Sequence, residues 1–92
     1  MKFIWLGTTR KAFNNIWSSH FSEGEIITYK LQLLERIENK IVLMGKSMPV
    51  KKPDWESSYK IIVDRYIVYY SFSKDWEVCY IEYFIHTSQQ KF

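Results

Sequence analysis

The sequence predicts an α+β domain: an N-terminal strand, a two-helix antiparallel hairpin, and a mainly antiparallel sheet of about four strands, in the order β-α-α-β-β-β. Three observations predict it. Apolar residues recur at three- and four-residue steps from Ile27 to Met44, the period of a helix. Three β-prone runs crowd the stretch after Ser58, parted by two short polar breaks. A fourth β-prone run opens the chain.

Residues 2–7 are the first strand, and Gly7 ends it. Thr8 or Thr9 follows as a candidate helix N-cap. Phe13, Ile16, Trp17 and Phe21 then fall at helical spacing, with Asn14, Asn15, Ser18 and Ser19 between them, so a first helix is expected over residues 9–20. Ser22-Glu23-Gly24-Glu25 breaks it and carries a capping-box pattern, Ser22 with Glu25, for a second helix over 23–44. Its apolar repeat is Ile27, Leu31, Leu34, Ile37, Ile41 and Met44, and Gly45 is a natural stop. The short break between the helices folds them back as a hairpin.

Residues 45–57 read as an irregular basic connection with Pro49, Pro53, Lys46, Lys51 and Lys52. Three strands follow, Tyr59–Val63, Tyr66–Phe72 and Trp76–Ile85, joined at Asp64-Arg65 and at Ser73-Lys74-Asp75. Strands joined this tightly are antiparallel. Thr87–Phe92 reads as a polar tail. Strict alternation sends Trp76, Val78, Tyr80, Glu82 and Phe84 to one face and Glu77, Cys79, Ile81, Tyr83 and Ile85 to the other. Two helices cover one face, which leaves an aromatic face for a partner, and the last strand is expected as an edge open to an added strand.

Composition narrows the class. The chain has 92 residues, the size of one domain, and four Trp, seven Tyr and six Phe give it bulky core material. The single cysteine, Cys79, cannot close an internal disulfide, which fits a reducing compartment. No run is long and apolar enough for a membrane span, and the start lacks a secretory pattern, so a soluble cytoplasmic protein is expected. A net charge of +3 permits an acidic partner or RNA without demanding either.

The element order at this length, together with certain residues, resembles the RelE/ParE toxins of bacterial toxin–antitoxin (plasmid stabilization) systems. Tyr59-Lys60-Ile61-Ile62-Val63-Asp64-Arg65-Tyr66-Ile67-Val68-Tyr69-Tyr70 is similar to the family's basic strand, tight turn and "Y-R-I-Y-Y"-like strand. Tyr83-Phe84-Ile85-His86-Thr87-Ser88-Gln89-Gln90 is similar to the "HTRQ/HTSQ" ending of ParE-like members, and Lys30–Ile41 to the family's second helix. The resemblance implies a growth-inhibiting toxin neutralised by a cognate antitoxin, whose C-terminal segment wraps it. It also implies one of two targets, DNA gyrase on the ParE side or ribosome-bound mRNA on the RelE side. Ile67 stands where the RNases carry arginine, and no arginine follows the last strand. The chain therefore looks closer to the ParE side, with a metal-independent endoribonuclease or a degenerate antitoxin-binding member as alternatives.

Metal-free RNA cleavage needs a base, a cation for the phosphorane charge and an acid. His86 is the candidate acid or base, its plainer reading being a strand-end residue bonded to the backbone. Lys51, Lys52, Lys60 and Arg65 are candidates to hold phosphate or an acidic partner, and a solvated loop is the plainer reading for the connection. Tyr69, Trp76, Tyr80 and Tyr83 are the candidate antitoxin surface. His20, near the end of the first helix, reads as a favourable terminal cation. Nothing resembles a Gly-rich phosphate loop, a zinc cluster or a Ser-His-Asp arrangement, so no cofactor or metal is expected.

Overall fold

A computed structural model describes residues 1–16, 19–47, 49–50 and 58–89. The expectations for Trp17, Ser18, Lys51, Lys52 and the end of the tail lie outside these residues. The elements are β1 (Lys2–Trp5), α1 (Gly7–Asn14), α2 (Glu23–Met44), β2 (Tyr59–Val63), β3 (Tyr66–Phe72) and β4 (Val78–His86), with one 3-10 turn at Thr87–Gln89. The predicted class and element order hold. No helix among the described residues is long and apolar enough to cross a membrane.

The sheet order is β1-β4-β3-β2. β2 and β3 pair antiparallel, as do β3 and β4, while β1 pairs parallel to β4 with Phe3 opposite Cys79 and Trp5 opposite Ile81. The first strand thus finds its partner in the last. This corrects the expectation that the last strand is an edge: β4 is flanked on both sides, and the edges are β1 and β2. Part of the β2 edge is taken up, because Pro49 bridges Tyr59, the Val50 N–H donates to the Ser58 carbonyl, and Lys40 Nζ donates to the Ile62 carbonyl.

α2 runs from residue 23 to 44 as expected, and its start is the predicted capping box. The Glu25 N–H donates to Ser22 Oγ at 3.2 Å, and the Ser22 N–H donates to Glu25 Oε1 at 3.1 Å. Its buried face differs from the predicted one. Ile26, Leu33, Ile37 and Ile41 are buried, while Ile27 is 58% and Leu31 64% exposed. One residue turns a helix by about 100°, so a repeat counted from Ile27 instead of Ile26 points the N-terminal half away from the sheet. The helix carries two apolar seams, and only the Ile26–Leu33–Ile37–Ile41 seam meets the core.

α1 is shorter than the predicted 9–20. It starts at Gly7 with Leu6 at the N-cap position and no side-chain cap. Thr9 does not cap it. Its buried hydroxyl donates to the Leu6 carbonyl at 2.6 Å, with the Ile81 carbonyl also at 3.3 Å, which ties the helix to β4. The helix stops at Asn14, whose free carbonyl accepts from Lys30 Nζ at 2.7 Å on α2.

Strict alternation fails in β4 as well. Tyr69 pairs with Tyr83 but Tyr70 pairs with Ile81, so Glu82 is an extra residue, a β-bulge. The bulge puts Phe84, Ile81 and Cys79 together in the core with Leu33, Ile37, Ile41, Ile61, Val63, Val68 and Tyr70. Glu82 accepts from the Ser58 hydroxyl at 2.9 Å. The strand also begins later than expected, since Trp76 and Glu77 belong to the turn. There the Ser73 hydroxyl donates to Asp75 Oδ1 at 2.6 Å, and the Glu77 N–H donates to the same oxygen at 3.1 Å. Both hydrogen bonds hold the Asp75 carboxyl below its usual range, the serine contact first.

Candidate functional site

β4 ends where the β2–β3 turn, the C-terminal end of α1 and the N-terminal half of α2 converge. Two hollows meet there. The larger, of about 620 Å³, is lined by Ile16, His20, Phe21, Ile26, Tyr29, Asp64, Arg65, Tyr66 and His86. The smaller, of about 470 Å³, shares Ile16, Tyr66 and His86 and adds Ala12, Asn15, Phe84 and Ser88. Volumes of this order accommodate small ligands or a side chain of a partner.

The local sequence explains the placement. Asp64-Arg65 is a two-residue hairpin turn with Asp64 at φ 57°, a region an aspartate tolerates better than most residues. The Thr87 N–H donates to the Arg65 carbonyl at 2.8 Å, which ties the turn to the end of β4 and brings Arg65 beside His86. The Tyr29 hydroxyl donates to Asp64 Oδ2 at 2.5 Å, anchoring the turn to α2. Burial and then the Asp64 hydrogen bond push the Tyr29 hydroxyl far above its ordinary value. Burial, then the Asp64 charge, raises that of Tyr66. Both therefore stay protonated at neutral pH, and Tyr29 serves as a donor to Asp64.

His86 stands half-buried at the strand end. Its ring meets Tyr66 edge-on at 5.4 Å, and Tyr66 stacks on Phe84 at 4.7 Å. The Ser88 N–H donates to His86 Nδ1 at 3.1 Å, and Ser88 Oγ lies 2.7 Å from the same nitrogen.

The candidates from the sequence divide three ways. Arg65 and His86 share the larger hollow. Lys60 pairs with Tyr69 while His86 pairs with Tyr66, so alternation puts Lys60 on the opposite face of the sheet. Lys51 and Lys52 lie outside the described residues. Tyr69, Tyr80 and Tyr83 share the face away from the helices, with Tyr69 and Tyr83 edge-on at 6.2 Å. That face is not bare at its centre. Tyr69 is buried, and so is Ile67, whereas Tyr83 is 49% and Ile62 50% exposed. Trp76 stands apart from the tyrosines in the β3–β4 turn, stacked on Phe72 at 4.6 Å with Lys46 Nζ 4.0 Å from its ring centre.

Tyr29, Asp64 and Tyr66 line the larger hollow and Ser88 the smaller, and none of the four was among the site candidates read from the sequence. Only Ser88 left a local signal, two residues after His86. Tyr29 and Asp64 are 35 positions apart, and no short-range pattern joins them. No protein-family model and no curated protein matches this chain.

Proposed function

We propose that this chain is the toxin of a bacterial toxin–antitoxin pair, which arrests growth by binding an essential target and is neutralised by a cognate antitoxin. The observation that carries the proposal is the second apolar seam of α2. Ile27, Leu31 and Val42 are 58%, 64% and 63% exposed along one side of a helix whose other side fills the core. An apolar stripe left uncovered on so small a domain marks a protein-binding surface. The element order supports the toxin assignment by resemblance, and the +3 net charge suits an acidic, disordered antitoxin segment.

Binding is favoured over RNA cleavage as the mode of arrest, with gyrase as the target by analogy. Cleavage needs several cations around the acid and base. Among the described residues Lys60 faces away from Arg65 and His86, and His86 has its Nδ1 engaged by Ser88.

Expression of the chain alone in a bacterial host tests this reading. Arrest accompanied by gyrase-dependent DNA cleavage is expected, together with rescue by co-expression of a short acidic neighbouring gene. Arrest with new mRNA ends and intact DNA would replace binding with endoribonuclease activity. Unimpaired growth would remove the toxin reading and leave, at most, a chain that only pairs with an antitoxin.

A further inference from the structure

We infer that Ser88 fixes the tautomer of His86, so that His86 acts with Arg65 as a hydrogen-bond donor to an oxyanion carried on a flat apolar body, bound in the larger hollow. The inference stands on the geometry of the strand end and is independent of whether the chain arrests growth.

A backbone N–H can only donate. The Ser88 N–H at 3.1 Å therefore makes His86 Nδ1 an acceptor, and the neutral ring carries its proton on Nε2. The Ser88 hydroxyl at 2.7 Å then donates to Nδ1 as well. Edge-on contact with Tyr66 fixes the ring plane. What remains for a ligand is the Nε2–H. The Nδ1 lone pair points at Ser88, so toward a ligand the ring in this tautomer presents a donor and not an acceptor.

Arg65 adds a second donor. Its position is held by the Thr87 N–H to Arg65 carbonyl bond, so the two donors are framed by one short stretch of backbone. Among the described residues the only carboxylate lining this hollow, Asp64, has Oδ2 occupied by the Tyr29 hydroxyl. An incoming anion is thereby directed to the His86 and Arg65 side. The rest of the described lining is Ile16, His20, Phe21, Ile26, Tyr29 and the Tyr66 ring, and its aliphatic and ring surfaces suit a planar apolar group more than a free inorganic ion. Carboxylate and phosphate share the required chemistry, a charged oxygen that accepts from an N–H.

Long-range proton–nitrogen NMR of the histidine rings reads the tautomer directly. The unmodified protein is expected to show His86 protonated on Nε2, Ser88→Ala to keep that tautomer because its backbone N–H remains, and Ser88→Pro, which removes the N–H, to shift it toward a mixture of tautomers. Titration with benzoate and with phenyl phosphate separates the two anion sources, with phenol as the uncharged control. At least one anion is expected to move the His86 signals, and Arg65→Ala to weaken that anion by about tenfold, the loss of one charge-assisted bond. A proton found on Nδ1 of the unmodified protein would overturn the inference. So would phenol binding as tightly as the anions, or an Arg65→Ala variant that binds them unchanged.

Discussion

Tyr70 shows how a single side chain ties two distant parts of this fold. Its ring is fully buried in the core, and its hydroxyl donates to the Gly45 carbonyl at 2.7 Å, just past the end of α2. Burial pushes that hydroxyl up to about 12, so the donor keeps its proton throughout the working range. Tyr70→Phe preserves the packing and removes only the hydroxyl. The expected loss is about 1 kcal/mol, the net worth of one such bond. Urea unfolding should show a lower midpoint with an unchanged slope. Equal midpoints would mean that water satisfies Gly45 as well as Tyr70 does. The same scale shows what a sequence hides. His86 was legible because histidine is rare here and sits at the end of a β-prone run. Its partner Ser88 is two residues away, yet its role depends on the 3-10 turn that aims its N–H back at the ring. Tyr29 and Asp64 meet only because α2 crosses above the β2–β3 turn.

At the scale of elements, α2 was legible at both ends because its signals are local: Ser22 and Glu25 at one end, Gly45 at the other. Its buried side was not, because apolar residues run on two sides of the helix and periodicity cannot say which side the sheet covers. β4 hid its bulge for a related reason, since an alternating pattern does not reveal an extra residue. The two seams of α2 give opposite expectations for similar substitutions. Leu33→Ala should cost about 2–5 kcal/mol by opening a cavity in the core, whereas Leu31→Glu should leave the unfolding midpoint nearly unchanged. Comparable losses at both positions would refute the assignment of the seams. Ser22→Ala should cost about 1 kcal/mol through the lost cap. It should also alter the acid limb of stability. The Ser22 backbone and hydroxyl hold Glu25 below its ordinary value. A carboxyl lowered in the folded state adds stability that is present above its unfolded value and lost as pH falls through the folded one. Removing the hydroxyl weakens that hold, so the gap between Ser22→Ala and the parent should narrow as pH falls below the usual carboxylate range. A gap that stayed constant down to strongly acid pH would show that the Ser22 hydroxyl leaves the Glu25 titration unchanged.

Across the whole molecule, the contact that closes the fold is the parallel pairing of β1 with β4, which sets Phe3 opposite Cys79. Both α-helices and the other two strands lie between these two strands in the sequence, so this pairing has the greatest loop to close. Cys79 makes it measurable. The thiol is fully buried, and burial, with smaller contributions from Glu82 and Glu38, raises it from 9.0 to about 12. Each pH unit is a factor of ten in thiolate, so the folded thiol carries about a thousandth of the reactive form it has when unfolded. Alkylation should therefore proceed through opening of the molecule. If β1 leaves only when the whole domain unfolds, the logarithm of the labelling rate rises with urea along the slope of global unfolding. Tyr70→Phe and Ser22→Ala then each speed labelling by about fivefold, in proportion to their lost stability. If β1 instead detaches alone, labelling is rapid without denaturant, shows almost no urea dependence, and ignores both substitutions. The first outcome is expected, because Phe3 and Trp5 pack against the same core as α2 and β3, and Trp5 meets Phe13 at 5.1 Å and Phe84 at 5.7 Å. Pulling β1 away would expose that aromatic cluster and release α1 along with it.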